Sequence, residues 1–420
     1  MRINVYPFLV SSLLLASPYA RAQAPSADVP ITAEYAQRTW TKVDETVRKH
    51  FYDRKADATW QAAVTANSKQ ILAARTMTAL DKSINEALHA LHVSHTQFVT
   101  PNDEAYYFLK TLFNERGDKG HPEEEKIDYV GAVTGGVDCA PDQVRYVLDG
   151  SPAELSGIKI GDEIVSVNGT PYIGQLSFKG THGRADTVKL KRAGHELSVT
   201  VKPVLRNDYD AYIEATSRSV RTHRTADGKK IGYVHVWCGG SEKTHEAIEQ
   251  ALDKLQNTDG LIFDLRDGYG GNFFNDLDYF YRNPQGYMPF TTIFRSGKKS
   301  TSNMVYSKPV VCLINGGSRS GKELLAYSLK TTGRATLVGE NTAGAVLAGR
   351  LWPINERAAL YLAVAAGDTG GVVLEGKGVA PDVEVKQSSA DRSVEDKQYA
   401  EAIRILSEKL SPKAQPSATP

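Results

Sequence analysis

The feature that most limits how this chain can fold is a short apolar strand followed by a glycine-containing turn and then a helix. Residues 310–314 predict a buried strand, residues 315–317 a turn and residues 321–329 a helix. Ser320 stands at the junction, where free backbone N–H groups meet the positive end of the helix dipole. Two interpretations are open: a nucleophile whose attack creates an oxyanion, or a serine that only caps the helix.

A second apolar run supplies a companion strand. Residues 260–266 predict a buried strand that ends in a turn containing Gly270 and Gly271. Because glycines have no side chain, the backbone N–H groups of such a turn can approach a ligand and donate to an oxyanion. Repeated strand and helix units of this kind predict an α/β core.

Three segments taken in order resemble a known family. Residues 264–271, 315–323 and 333–342 resemble the catalytic domain of the carboxyl-terminal processing (tail-specific) and tricorn-core serine peptidases. The resemblance implies that the core is of the α/β type shared by crotonase-like and Clp protease folds. It also implies the roles of four residues: Ser320 as the nucleophile, Gly321 as one oxyanion donor, and Gly270 or Gly271 as the other.

Residues 150–169 resemble the central stretch of a PDZ domain. The same residues predict a short helix, a turn at Gly161, and an alternating strand closed by Gly169. We therefore expect a PDZ-like β domain over residues 127–205, which would bind a peptide as an added strand. The alternative is a small β domain that only packs against the catalytic one.

The general base is the point at which the chain departs from the tail-specific branch. That branch carries a lysine where this chain has Ala345, 25 positions after Ser320. Lys322 is a poor substitute, since a side chain two positions along a helix points away from the serine. A Ser-Lys dyad is therefore not expected.

A histidine is the base that the tricorn-like branch implies. A helix pattern ends shortly before Ser94 and His95, and this pair resembles the signature of that branch. The resemblance makes His95 the base and Ser94 its supporting neighbour; a neutral imidazole with a pKa of about 6.5 can accept the serine proton. A structural histidine is one alternative, and zinc bound by His89, His92 and His95 on one helix face is another.

A histidine base needs an acceptor for its other ring nitrogen. Residues 371–382 resemble the closing motif of the family, and the resemblance implies Glu375 as the third member of a Ser-His-Glu set. Asp382 is interpreted as a cap of the turn after Pro381. An ordinary surface acid is the other interpretation of Glu375.

The N-terminus predicts export. Arg2 precedes an apolar run to Leu15 that small residues follow, which is the pattern of a secretory signal peptide over residues 1–22. The expected location is periplasmic or secreted, with no stable membrane insertion, and an uncleaved anchor is the alternative. The three cysteines are an odd number and imply no disulfide framework.

Composition and patterning set the organisation. A net charge of +1 excludes a charge-driven nucleic-acid binder, and 41% hydrophobic residues support a sizeable core. Residues 206–230 are interpreted as a connector. The expected regions are a signal peptide (1–22), a helical N-terminal region (30–110), the PDZ-like domain (127–205), the catalytic domain (206–410) and a disordered tail (411–420).

The sequence thus predicts an exported serine endopeptidase that cleaves proteins or peptides through an acyl-enzyme, with no cofactor and no metal. The rival from another class is a noncatalytic peptide-binding protein, which would keep the fold and the PDZ groove but lack the lysine base. The sequence carries no indication of oligomeric state.

Overall fold

The computed structural model describes residues 29–115, 126–136, 139–271, 280, 290–293, 295–296, 299–302, 305–367, 369–392 and 394–411. The expected signal peptide lies outside the described residues, as does the expected tail beyond Ser411.

The helices within the described residues are α1 (Ala33–His50), α2 (Asp57–Ala73), α3 (Met77–His89), α4 (Glu104–Glu115), α5 (Pro152–Leu155), α6 (Asp208–Arg218), α7 (Glu242–Lys254), α8 (Gly321–Thr331), α9 (Ser389–Arg392) and α10 (Lys397–Leu410). The strands there are β1 (Gln97–Val99), β2 (Lys126–Tyr129), β3 (Ala132–Thr134), β4 (Val144–Val147), β5 (Glu163–Val167), β6 (Thr170–Pro171), β7 (Asp186–Arg192), β8 (His195–Val201), β9 (Val204–Asn207), β10 (Arg221–Arg224), β11 (Lys230–His235), β12 (Gly260–Asp264), β13 (Phe290–Ile293), β14 (Lys299–Ser302), β15 (Val310–Ile314), β16 (Ala335–Gly339), β17 (Ala348–Asn355), β18 (Ala358–Ala365) and β19 (Val383–Glu384).

The N-terminal helices pack on an antiparallel sheet of order β1-β18-β17. Helix α1 begins after Thr32, whose hydroxyl accepts a hydrogen bond from Tyr35 N at 3.1 Å, as expected of an N-cap. Trp40 and Leu80 on the helices share one core with Leu360 on β18. This core fixes β1, and with it the segment that carries His95, against the rest of the molecule.

A six-stranded sheet of order β10-β11-β12-β15-β16-β19 forms the centre of the peptidase region. It is parallel from β11 to β19, with β10 antiparallel at the edge. All five residues of β15 are buried, because Cys312 faces the core under α7 and α8 while Val311 and Leu313 face α10. Burial on both faces explains the unbroken apolar run in the sequence.

The PDZ-like region is a four-stranded antiparallel sheet of order β6-β5-β7-β8, accompanied by α5 and the β3-β4 and β2-β9 ribbons. Ile164, Val188 and Leu190 lie in its own apolar core. The predicted fold class, an α/β protein with a helical N-terminal region and a PDZ-like β domain, is confirmed.

The expectation of a connector over residues 206–230 is wrong. Helix α6 lies there, capped by Asn207, which accepts from Asp210 N at 3.2 Å. Tyr209 and Tyr212 are fully buried. The segment is a packed element whose apolar face is built from tyrosines and alanines, so its helical periodicity is weak in aliphatic residues.

Candidate active site

The carboxyl ends of three parallel strands place Ser320 and the glycine turn at one edge of the sheet. Asp264 of β12 pairs with Leu313 of β15, and Ile314 of β15 pairs with Gly339 of β16. The turns that follow these strands are therefore neighbours. Ligand sites in parallel α/β sheets form at this edge.

Ser320 immediately precedes helix α8 in a left-handed backbone conformation, with φ of 56° and ψ of −127°. A serine with positive φ is strained, and such strain persists only where the surroundings enforce it. Its N–H donates to Ala345 O at 2.8 Å and to Glu323 Oε2 at 3.1 Å. The residue is held at a sharp strand-to-helix turn, as nucleophilic serines often are.

Glu323 joins the turn at Ser320 to the segment of residues 342–345. It is fully buried, and its Oε1 accepts from Thr342 Oγ1 (2.6 Å) and Gly344 N (2.7 Å). Its Oε2 accepts from Ala345 N at 2.7 Å. Ala345, the position of the lysine in the tail-specific branch, thus lies directly beside Ser320 and presents only a methyl group.

The glycine turn after β12 packs against Ser320. A Cβ on Gly270 would lie 2.6 Å from Ser320 Cβ and 3.1 Å from Gly321 N, so only glycine fits there. Gly271 has φ of 130° and presses on the backbone of Gly239. Among the described residues, no acceptor takes the N–H of Gly321 or of Gly270, which leaves both available to a ligand.

Lys322 turns away from Ser320, as its position in the helix predicts. Its fully buried Nζ donates to Asp267 O at 2.6 Å, one residue before Gly268. Burial lowers the pKa of this amine to about 8. The side chain therefore ties helix α8 to the glycine turn.

Ser94, His95 and Glu375 form one chain of hydrogen bonds. Ser94 Oγ donates to Glu375 Oε2 at 3.0 Å and lies 2.8 Å from His95 Nδ1. Because the hydroxyl hydrogen goes to the carboxylate, the oxygen accepts from Nδ1–H, and Nε2 is left with its lone pair. Glu375 also accepts from Ser94 N (2.9 Å), Val346 N (2.8 Å) and Leu347 N (3.2 Å).

The environment of His95 keeps its imidazole neutral. Burial, reinforced by the charge of Arg319 and opposed by that of Glu375, lowers the pKa of His95 to about 4. The imidazole ring packs against the ring of Tyr361, with their centroids 5.3 Å apart. A neutral ring is the state that a general base requires.

The structure brings His95, Ser94 and Glu375 together but does not join them to Ser320 by a hydrogen bond. In the part of the chain that is described, the His95 ring bonds to Ser94 and to no other hydroxyl. Ser320 and Glu375 are instead connected through the backbone of two neighbouring residues. Val346 N donates to Glu375, and Ala345 O accepts from Ser320 N.

The zinc alternative does not fit the structure. Helix α3 ends at His89, and both His92 and His95 have positive φ, so the three rings share no helical face. Within the described residues, no group of three His, Cys, Asp or Glu side chains is arranged to hold a metal. Cys238 and Cys312 are buried free thiols.

Sequence reasoning missed the supporting contacts of Glu323, Lys322 and Arg319. The signal for Glu323 was present, because a glutamate three residues after a helix-capping serine is a known pattern. Nothing local predicts the partner of Lys322 or the surroundings of Arg319, since both depend on where the glycine turn lies in space.

Comparisons with known proteins agree with this fold. Residues 230–385 match the model of Peptidase family S41, a family of serine-type peptidases, and residues 143–178 match a PDZ domain model. These two matches make the chain similar to carboxyl-terminal processing peptidases that carry a PDZ domain. The resemblance expected from the sequence is confirmed.

Two relatives illustrate the match. Carboxyl-terminal-processing peptidase 3, chloroplastic, of Arabidopsis thaliana is 27% identical over 409 residues, which are 92% of this chain and 74% of the relative. Carboxy-terminal processing protease CtpB of Bacillus subtilis is 28% identical over 253 residues, 56% of this chain and 51% of the relative. The chain thus spans about half the length of the second relative.

Solved structures show the same fold. A photosystem II D1 C-terminal processing protease shares 21% identity, with 90% of this chain and 97% of that chain covered and a TM-score of 0.50. The tricorn protease shares 17% identity, with 90% of this chain and 37% of that chain covered and a TM-score of 0.51.

No helix in the described residues has the length and hydropathy needed to cross a membrane.

Proposed function

We propose that this chain is an exported serine endopeptidase that cleaves proteins or peptides through an acyl-enzyme. The observation that carries the proposal is the hydrogen-bond chain Glu375–Ser94–His95, which holds a neutral imidazole and is connected through the backbone of residues 345 and 346 to Ser320. The match to Peptidase family S41 supports the reaction type.

The first chemical step is the attack of Ser320 on a peptide carbonyl. His95 Nε2 accepts the hydroxyl proton while Oγ forms a bond to the carbonyl carbon, and the carbonyl electron pair moves to its oxygen. This step requires the imidazole to reach Ser320 when a substrate is bound, and apo sites often tighten in this way. Ser94 and Glu375 hold the ring and balance its new positive charge.

The oxyanion is held by backbone N–H groups. Gly321 N and Gly270 or Gly271 N are the proposed donors, because Gly270 packs against Ser320 and Gly321 and because these N–H groups are not engaged elsewhere among the described residues. Collapse of the intermediate expels the amine, which takes the proton from His95. Water then attacks the ester with His95 again as the base, and Ser320 is released.

The remaining regions complete the proposal. The PDZ-like domain, over residues 127–205, recruits substrate chains by strand addition, and residues 206–410 form the catalytic domain. The pattern at residues 1–22 supports export to the periplasm or beyond. Protein or peptide substrates are the partners.

A fluorophosphonate probe tests the nucleophile. We expect the probe to label the parent protein at Ser320, and Ser320→Ala to lose both labelling and cleavage of an unfolded test protein. Ser318→Ala is the matched control, and labelling should survive in it. Unchanged proteolysis by the Ser320→Ala protein contradicts the proposal.

The second candidate is a noncatalytic peptide-binding protein. It is favoured by two observations: Ala345 stands where the tail-specific branch has its lysine, and no hydrogen bond joins the described His95 and Ser320 side chains. Peptide binding by the parent without labelling or cleavage would select this candidate. Loss of cleavage in His95→Ala, with labelling reduced by several powers of ten, would select the peptidase.

A further inference from the structure

Arg319, the residue before the proposed nucleophile, is partly exposed, and the buried part of its guanidinium has no partner in the protein. Its Nε is buried and makes no hydrogen bond. In the described part of the chain, its guanidinium forms no hydrogen bond or ion pair with any other side chain. A buried donor left unpaired is costly, so such a group in a folded protein calls for a ligand.

The side chain lines a cleft of about 970 Å³. The N-terminal region contributes Gln97 and Asn102 to its wall, the PDZ-like region contributes Gly135 and Tyr172, and the glycine turn contributes Tyr269. The cleft therefore runs from the PDZ-like region to the turn beside Ser320. An extended peptide that reached the nucleophile would pass along it.

Arg319 differs from the other cations of this cleft. Of the cationic side chains among the described residues that line it, Arg145 pairs with Asp267 at 3.5 Å and Lys191 pairs with Glu163 at 3.1 Å. Their charges are balanced within the protein, whereas that of Arg319 is available to a ligand.

A carboxylate is the ligand that best fits the unpaired guanidinium of Arg319. A guanidinium presents a planar fork of donors that fits a carboxylate with two parallel hydrogen bonds. We propose that Arg319 binds a carboxylate of the substrate next to the scissile bond, and so makes the site selective for an acidic group. This inference rests on the proposed peptidase function. The carboxylate belongs either to an acidic side chain or to the free end of the substrate chain.

Binding of the carboxylate also affects the base. The charge of Arg319 is one of the causes that lower the pKa of His95. Neutralising that charge in the complex raises the basicity of the imidazole when it is needed. An acidic substrate is therefore favoured both in binding and in proton transfer.

Paired quenched fluorescent peptides test the proposal. One pair differs by Asp or Asn near the cleaved bond, and the other by a free or an amidated C-terminus. We expect the parent to cleave the carboxylate member of one pair with a kcat/KM about tenfold or more higher than that of its partner peptide. The pair that shows this preference tells whether the bound carboxylate is an acidic side chain or the free C-terminus. Arg319→Gln should reduce the preference to about twofold or less, while Arg319→Lys should keep part of it.

The exposed Arg357, outside the cleft, gives the matched control, and Arg357→Gln should leave the preference intact. A parent with no preference, or an Arg319→Gln protein that retains it, overturns the inference. Fluorescence anisotropy with the same peptides and the Ser320→Ala protein measures the preference without catalysis. It therefore decides the role of Arg319 even if labelling shows that the proposed peptidase activity is absent.

Discussion

The pKa of His95 gives the sharpest prediction at the scale of single residues. The base must be neutral, and burial together with Arg319 lowers its pKa to about 4. We therefore expect the acidic limb of kcat/KM to lie near pH 4, below the value of about 6.5 for an exposed histidine. A pH profile measured with a non-ionising substrate checks this.

The same profile separates the two possible bases. The pKa of Lys322 is lowered to about 8, so a lysine base would place the limb near pH 8. A limb near pH 8 that disappears in Lys322→Met would contradict the histidine mechanism. His245→Ala, on helix α7, is a control for histidine replacement and should leave the limb in place.

Gly270 allows a second prediction. A Cβ there would lie 2.6 Å from Ser320 Cβ and 2.7 Å from Arg319 O. Gly270→Ala should therefore displace the proposed oxyanion donors and lower kcat by about 10²-fold to 10³-fold. Gly316→Ala is the matched control, since nothing lies within 4 Å of its added Cβ. Equal activity of the two variants would remove the glycine turn from the mechanism.

The sequence predicted Ser320, His95 and Glu375 as site residues, because each lies in a segment that resembles a local motif of the family. It did not predict that Ser94 stands between the carboxylate and the ring, since that arrangement joins positions 281 residues apart. The sequence also did not predict that the guanidinium of Arg319 lacks a partner in the protein. This depends on which side chains surround the cleft, and no local pattern encodes their positions.

At the scale of elements, helices α4 and α6 meet through their first residues. Glu104 and Asp208 are adjacent buried acids, and burial raises the pKa of each. Tyr269 OH donates to Glu104 Oε2 at 2.5 Å, and Tyr212 OH donates to Oε1. Asp208 Oδ2 is buried with no other donor beside it, and the Asp208 carboxyl bonds to that of Glu104. Two adjacent acids in such a site share a proton, and one of them stays neutral.

This pair makes stability depend on pH. The native pKa of Asp208 lies above its unfolded value, so the native state holds a proton that the unfolded state releases. The free energy of unfolding therefore falls as pH rises above about 4. Asp208→Asn removes this need for a proton. We expect urea unfolding to show a flatter pH dependence between about pH 5 and 8, with a gain of about 1 kcal/mol or more at pH 8.

The control for this prediction lies on the same turn. Asp210 is partly exposed and pairs with Lys243 at 3.5 Å, so Asp210→Asn should leave the pH slope unchanged. A parent whose stability does not fall between pH 5 and 8 would show that the two acids do not share a proton.

Helix α6 is also where the interpretation of the sequence failed, because its apolar face is formed by tyrosines rather than by aliphatic residues.

At the scale of the whole molecule, an aromatic core joins the three regions. Tyr146 of the PDZ-like strand β4 hydrogen bonds with Tyr212 of α6 at 2.8 Å and packs with Trp237 at a ring-centroid distance of 5.3 Å. Phe108 of α4 stacks on Tyr269 of the glycine turn with centroids 3.8 Å apart. The sequence predicted separate regions but not this shared core, because the members of the core are far apart in the chain.

The shared core predicts how the protein unfolds. We expect calorimetry to show one transition for the parent, and Tyr146→Ala to separate the PDZ-like transition from that of the peptidase region. The substitution should cost about 3–5 kcal/mol. Phe178→Ala is the control, since this residue lies in the PDZ-like core alone and should lower stability without separating the regions. Two transitions in the parent would show that the core does not couple them.

The hydrogen bonds between Ser94 and Glu375 also bear on synthesis. The two residues are 281 positions apart, and the glutamate is synthesised after both Ser94 and Ser320. If they act as proposed, a ribosome-bound or partly translocated chain can display Ser320 without a correctly held base. Proteolytic activity would then arise only after the chain has been made and folded at least as far as Glu375, which protects the cell from the enzyme during its synthesis.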